Sequence, residues 1–247
     1  MLNISREEII NSETDIPCHI LTRSVEKRKI FAIEEDCFRF IFQMYAANIG
    51  QPVFNLHRKD ISKIAKSLLN GGDIPKNLII KEHPPLVNIL SFVLVNNHNH
   101  FILSSNTKNG ISNYIQKLNI SFAKYFNLKY ERQGTLFSRP FKIIPIQDNF
   151  QLDAVIRYIN IKNPIDVYQP GWKEEGLKNK EEVAWFLNNY QFSSFPDLFG
   201  DRKSKILAPR PIFESLGITK NKNDYINFLE DYLKSKMISN HSLFLEE

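Results

Sequence analysis

Two histidines separated by one residue, in Asn97-His98-Asn99-His100-Phe101, have a spacing that could do chemistry. In an extended strand, residues two apart point to the same side. His98 and His100 would then present both imidazoles together while Asn99 points away. Two neutral imidazoles so placed can chelate one divalent ion, though the same pair on an exposed strand also reads as ordinary polar surface. Tyr158, in Asp153-Ala154-Val155-Ile156-Arg157-Tyr158-Ile159-Asn160, is the second candidate. A phenol, with a pKa of about 10, attacks phosphorus only where a metal or cation activates the electrophile. The competing reading of Tyr158 is a half-buried aromatic on an amphipathic helix. Cys18 and Cys37 are too few for a disulfide framework and lack metal-ligand spacing.

Charge is unevenly distributed. The net formal charge is only +5, but residues 101–142 carry Lys108, Lys117, Lys124, Lys129, Arg132, Arg139 and Lys142 against a single acid, Glu131. Tyr114, Phe122, Tyr125, Phe126, Tyr130, Phe137 and Phe141 are interleaved with them. That mixture suits a polyanion whose bases can stack, with Lys117, Lys124, Lys129, Arg132, Arg139 and Lys142 tracking phosphates. It equally suits a solvated helix face over an aromatic core.

The elements that must position these residues follow from periodicity. A chain of 247 residues with 43% hydrophobic and 24% charged residues is one large domain or two small ones, not a disordered chain. No apolar run approaches the roughly 18 residues of a membrane span, and Met1–Glu8 does not resemble a secretory signal, so a cytosolic location is expected. Residues 18–23 alternate as a strand after Asp15-Ile16-Pro17, and residues 34–47 read as a helix. Residues 50–85 look like an insertion holding a short helix at 61–69 that stops at Asn70-Gly71-Gly72. Strands at 86–95 and 98–104 joined by Asn96-Asn97 form a hairpin, followed by a basic helix at 110–126, a strand at 141–146 and a helix at 149–162 that halts before Pro164. Helical stretches near 181–189 and 224–236 complete the chain. This order describes an α+β fold, a ferredoxin-like antiparallel sheet with helices on one face, plus a helical C-terminal extension.

Four segments also resemble a known family in the right order. Val93–Leu103 is similar to the histidine–hydrophobic–histidine strand of HUH single-strand DNA transposases, and Gly134-Thr135-Leu136-Phe137-Ser138-Arg139-Pro140-Phe141-Lys142 resembles their Gly-x-Leu-Phe element. Arg157-Tyr158-Ile159-Asn160-Ile161-Lys162-Asn163-Pro164 resembles the segment whose tyrosine is the nucleophile, and residues 188–200 resemble the tail of the REP-associated tyrosine transposases. The resemblance implies an HUH catalytic domain over residues 14–164 and an extension over 165–247. It also implies metal-dependent nicking and rejoining of single-stranded or hairpin DNA through a 5′-phosphotyrosine. His98 and His100 would hold Mg²⁺ or Mn²⁺, Tyr158 would be the nucleophile, and the location would be the nucleoid-associated cytoplasm. Both homodimers and monomers occur in such families. A non-catalytic, domesticated hairpin-binding protein is the alternative.

Two departures stand out. Asn99 replaces an apolar residue, on the side facing away from the metal. Related enzymes often take a third ligand, Gln or Asn, one helical turn after the tyrosine, where this chain has Lys162, with Asn163 one residue later. In an α-helix, position +4 lies about 40° from Tyr158 and +5 about 140° away. Asn163 could therefore ligate only if a π-bulge distorts the turn. Lys162 would otherwise stand beside the phosphate as a DNA-binding cation.

Overall fold

The computed structural model describes residues 16–52, 60–177 and 179–218. The helix expected at 224–236 lies outside them, as do residues 14–15 and part of the expected insertion. Strand β1 (Cys18–Arg23), helix α1 (Glu34–Ile49), strands β2 (Val87–Val95) and β3 (His98–Ser105), helix α3 (Gly110–Lys129) and strand β4 (Lys142–Pro145) form the βαββαβ frame, with α2 (Ile61–Leu69) inserted after α1. The sheet order is β2-β3-β1-β4, antiparallel throughout, which is the ferredoxin-like order. The alternation in β1 divides its residues between two cores. Cys18 and Ile20 join Phe92, Leu94, Phe101 and Leu103 under α1, α2 and α3. On the other face Val93, Val95 and Ile102 pack against Leu152, Val155, Ile156, Tyr158 and Ile159.

The fold class is the one expected, and helices α1 and α3 lie on one face as expected. The opposite face is covered as well, by α4 (Asn149–Arg157) and the turns that follow it. The helix does not halt before Pro164. A π-turn (Tyr158–Lys162) leads directly into α5 (Asn163–Tyr168), with Pro164 in its first turn. Proline breaks an α-helix by removing an N–H and crowding the carbonyl four residues back. Here the preceding turn is already wider and bonded i→i+5, so both penalties fall where the ladder has changed partners.

The boundary expected after residue 164 therefore lies inside a continuous helical stretch. Beyond α5 the chain forms α6 (Lys180–Asn189) and returns to the β2 edge, where Leu94 N–H donates to Phe192 O at 2.8 Å and Ser194 N–H to Phe92 O at 2.9 Å. The inserted α2 buries Ile61, Ile64, Ala65, Leu68 and Leu69 in the α1 side of the core. Among the described residues no helix is long and apolar enough to cross a membrane.

Candidate active site

Register places the histidines on the face covered by α4. His100 pairs with Leu21 of β1 and with Val93 of β2, and His98 with Arg23 and Val95. Their ring centroids lie 5.0 Å apart, and the Tyr158 ring sits 5.4 Å from that of His100 in an edge-on arrangement. Asn99 points into the opposite core, where Thr22 Oγ1 donates to its Oδ1 at 2.8 Å. Asn99 thus belongs to the packing of the opposite core, away from the histidine face.

The donor set fits a small divalent ion. His98 Nδ1 lies 2.7 Å from Asn97 Oδ1, an acceptor, which puts the ring proton on Nδ1 and the lone pair on Nε2. Burial first, then the His19 and His98 rings and the Lys162 and Arg23 charges, hold the His100 imidazole well below its usual pKa. It is thus neutral, as a ligand must be. Among the described residues no three His, Cys, Asp or Glu side chains are arranged to hold a metal. An ion here would rest on two imidazoles, completed by an amide, water or phosphate oxygens.

The π-turn resolves the one-residue offset after the tyrosine. Asn163 N–H bonds the Tyr158 carbonyl, an i→i+5 link, and Asn163 Nδ2 donates to the same carbonyl at 3.1 Å. Residue +5 therefore returns to the face that +4 occupies in an α-turn. The Asn163 nitrogen is committed to the backbone, so its Oδ1 is the atom it could offer a metal. Lys162 Nζ lies 5.0 Å from the Tyr158 ring centroid and 2.9 Å from Asp166 Oδ2. Tyr158 is 6% exposed, which differs from the expectation of a tyrosine near a helix end, because the helix continues past it. The turn is anchored from behind by a closed ring of hydrogen bonds. Asn160 Nδ2 donates to Ser91 Oγ at 2.8 Å, the Ser91 and Ser194 hydroxyls lie 3.0 Å apart, and Ser194 Oγ donates to Asn160 Oδ1 at 2.6 Å.

Tyr168, a second tyrosine ten residues on, is aimed elsewhere. It lies in helix α5, and its hydroxyl donates to Glu182 Oε2 at 2.9 Å, which raises its pKa. The candidate phosphate contacts separate into two groups. Lys117, Lys124 and Lys129 sit on α3, whose apolar side packs on the sheet face opposite the histidines. Lys129 is held by Glu35 at 2.7 Å and by the buried Asp36 at 2.8 Å, and Lys117 Nζ lies 3.0 Å from His83 Nε2. Arg132 braces its own loop through Asn127 Oδ1 and Thr135 O. Tyr114, Phe122, Tyr125, Phe126 and Phe137 are buried core and offer no stacking platform. Arg139 and Lys142 are exposed and differently placed. Lys142 pairs with Leu21 and so lies on the histidine face, while the Ser138 N–H to Arg23 O bond brings the backbone of Arg139 to the end of β1. The Gly-Thr-Leu-Phe element itself is structural: Gly134 takes φ 88°, and Leu136 and Phe137 are buried in the α1–α3 core.

Sequence reasoning missed His19 and Arg23. Both follow from β1 alternation once β1 is known to pair with β3, and both lower the His100 pKa. His19 Nε2 lies 2.9 Å from His100 Nδ1, and its ring is 5.9 Å from that of Tyr158.

Comparison with known proteins yields no match among curated proteins. One solved structure, a REP-associated tyrosine transposase bound to a REP hairpin, aligns over 74% of this chain and 79% of its own at 12% identity and a TM-score of 0.40. Residues 81–162, the segment that carries His98, His100, the basic helix and Tyr158, match the family model of IS200-like transposases.

Proposed function

We propose that this protein is a metal-dependent DNA strand transferase that nicks and rejoins single-stranded DNA near hairpins. The observation that carries this reading is the meeting of Tyr158, His100 and Lys162 on one sheet face, within the segment that matches the transposase family. His98 and His100, with Asn163 Oδ1 in reach of the same turn, would hold Mg²⁺ or Mn²⁺. When bound, the ion supplies Lewis-acid polarisation of the scissile phosphate. The Tyr158 hydroxyl attacks phosphorus in line. The Tyr–O–P bond forms, the P–O3′ bond breaks, and the proton from the phenol ends on the departing 3′-hydroxyl. A 5′-phosphotyrosine remains, and attack by a 3′-hydroxyl reverses the step without ATP. Lys162, held by Asp166, places a positive charge beside the nucleophile, where negative charge accumulates. Arg139 and Lys142 would guide the backbone toward this face.

The alternative is a non-catalytic hairpin-binding protein descended from such an enzyme, and the near-complete burial of Tyr158 favours it. Incubating the protein with end-labelled hairpin oligonucleotides and Mn²⁺ decides between them. A covalent adduct that Tyr158→Phe abolishes supports catalysis, since that variant removes the attacking oxygen and little else. Hairpin binding without an adduct supports the alternative, and an adduct that survives in Tyr158→Phe overturns the assignment of the nucleophile.

A further inference from the structure

His19 is fully buried on the histidine face, on β1, with its Nε2 2.9 Å from His100 Nδ1. Its ring lies nearly edge to edge with that of His100, 5.1 Å between centroids at 28°, and meets the Tyr158 ring edge-on at 5.9 Å. A hydrogen bond between two ring nitrogens holds one proton, and its position has consequences for the far side of His100. If His19 Nε2 carries it, neutral His100 is protonated on Nε2 and cannot ligate there. If His100 Nδ1 carries it, the His100 lone pair lies on Nε2, on the side of the ring away from His19. The Asn97–His98 contact imposes the same tautomer on His98. Each histidine of the pair then has an acceptor at Nδ1, one from the hairpin turn and one from the neighbouring strand.

We infer that His19 is a positioning residue that accepts the His100 Nδ1 proton, fixing the tautomer and ring angle that let His100 bind a divalent ion through Nε2. This inference rests on the metal-binding reading above. His19 itself is placed behind the ligand, its Nε2 taken up by His100, and it backs Tyr158 with the same ring. Ligand and nucleophile thus share one support on β1.

The test compares His19→Phe, which keeps the ring and loses the acceptor, with His19→Gln, whose Oε1 can accept the same proton. Mn²⁺ affinity is measured by isothermal titration without DNA, and hairpin binding is measured in EDTA. The expected result is a loss of about 10- to 100-fold in Mn²⁺ affinity for His19→Phe. His19→Gln should stay within about threefold of the parent, with hairpin binding in EDTA unchanged in both. A folded His19→Phe protein that binds Mn²⁺ like the parent overturns the inference while leaving the metal reading intact. A parent that binds no Mn²⁺ at millimolar concentration overturns the metal reading and this inference with it. If His19→Phe does not fold, ¹⁵N imidazole shifts of the metal-free parent report the tautomer directly. His100 protonated on Nδ1 supports the inference, and His100 protonated on Nε2 overturns it.

Discussion

Replacing Ser194 with Ala should loosen the turn that carries Tyr158, and the structure sets the magnitude. The Ser194 hydroxyl donates to Asn160 Oδ1, lies in hydrogen-bond reach of Ser91 Oγ, and accepts from the Phe92 N–H at 3.0 Å. Asn160 is in turn tied to the Ile156 carbonyl at 2.8 Å, so the ring joins the π-turn, β2 and the returning chain at 194. All three side chains are buried. Removing one oxygen leaves the Asn160 amide oxygen and the Phe92 N–H without these partners. Each buried unpaired group costs about 1–3 kcal/mol, so about 2–4 kcal/mol is expected once some relaxation is allowed. For a protein of this size that corresponds to a fall of about 5–15 °C in Tm. Urea unfolding followed by far-UV circular dichroism measures the loss. The exposed Asn188→Ala serves as a control that should stay within about 0.5 kcal/mol. Because Asn160 lies two residues after Tyr158, Ser194→Ala should also slow adduct formation at temperatures where it is fully folded, with hairpin affinity little changed. A stability loss under about 0.5 kcal/mol would refute the reasoning, since it would mean the hydroxyl ring does not hold the turn.

Other perturbations separate the remaining groups. The double substitution Arg139→Ala and Lys142→Ala should flatten the slope of log affinity for single-stranded DNA against log salt by about 1.4, the loss of two phosphate contacts, as read by filter binding. Lys129→Ala should leave that slope unchanged and instead destabilise the fold by about 1–3 kcal/mol in urea, because Asp36 loses its cation while Tyr125 and Tyr130 still donate to it. Lys162→Ala should slow adduct formation about a hundredfold without moving the cleavage site on a sequencing gel. Asn163→Ala should raise the Mn²⁺ concentration needed for half-maximal adduct. Burial pushes the thiols of Cys18 and Cys37 up to about 12, so at pH 8 both are almost wholly protonated. Iodoacetamide should therefore label neither thiol in the native protein and both in urea, as read by mass spectrometry.

What could be read from the sequence was local. Strand 18–23 and helix 61–69 announce themselves by alternation and by the Gly-Gly stop, and the His98/His100 pair needs only the two-residue period of a strand. The rest depends on pairings between distant residues. His19 is one polar residue in an alternating strand until β1 is laid beside β3, 81 positions away, and only then is it within reach of His100. Lys129 looks like a phosphate contact in its own basic neighbourhood. Its carboxylate partner Asp36 lies 93 positions earlier, and composition does not reveal the pairing. The aromatic residues of the basic stretch could be stacking surface or core, and packing on the sheet decides for core at Tyr114, Phe122, Tyr125, Phe126 and Phe137, while Tyr130 stays exposed. Pro164 was a sound reason to end a helix, and it was overruled by a wider turn that local propensity does not encode.

The π-turn also bears on how this segment can change length. An extra residue in an ordinary α-helix rotates everything beyond it by about 100°, which would carry Asn163 and α5 off the sheet. Here the surplus is taken up inside Tyr158–Lys162, and the chain on either side keeps its facing. A single deletion within 159–162 should let the turn tighten to an α-turn while the following side chains stay directed at the histidine face. In aligning this protein with relatives one residue shorter, the gap therefore belongs inside the helix, between the tyrosine and the asparagine. A one-residue deletion at that point that spares Asn160 and Lys162 would therefore leave the following helix facing the histidines.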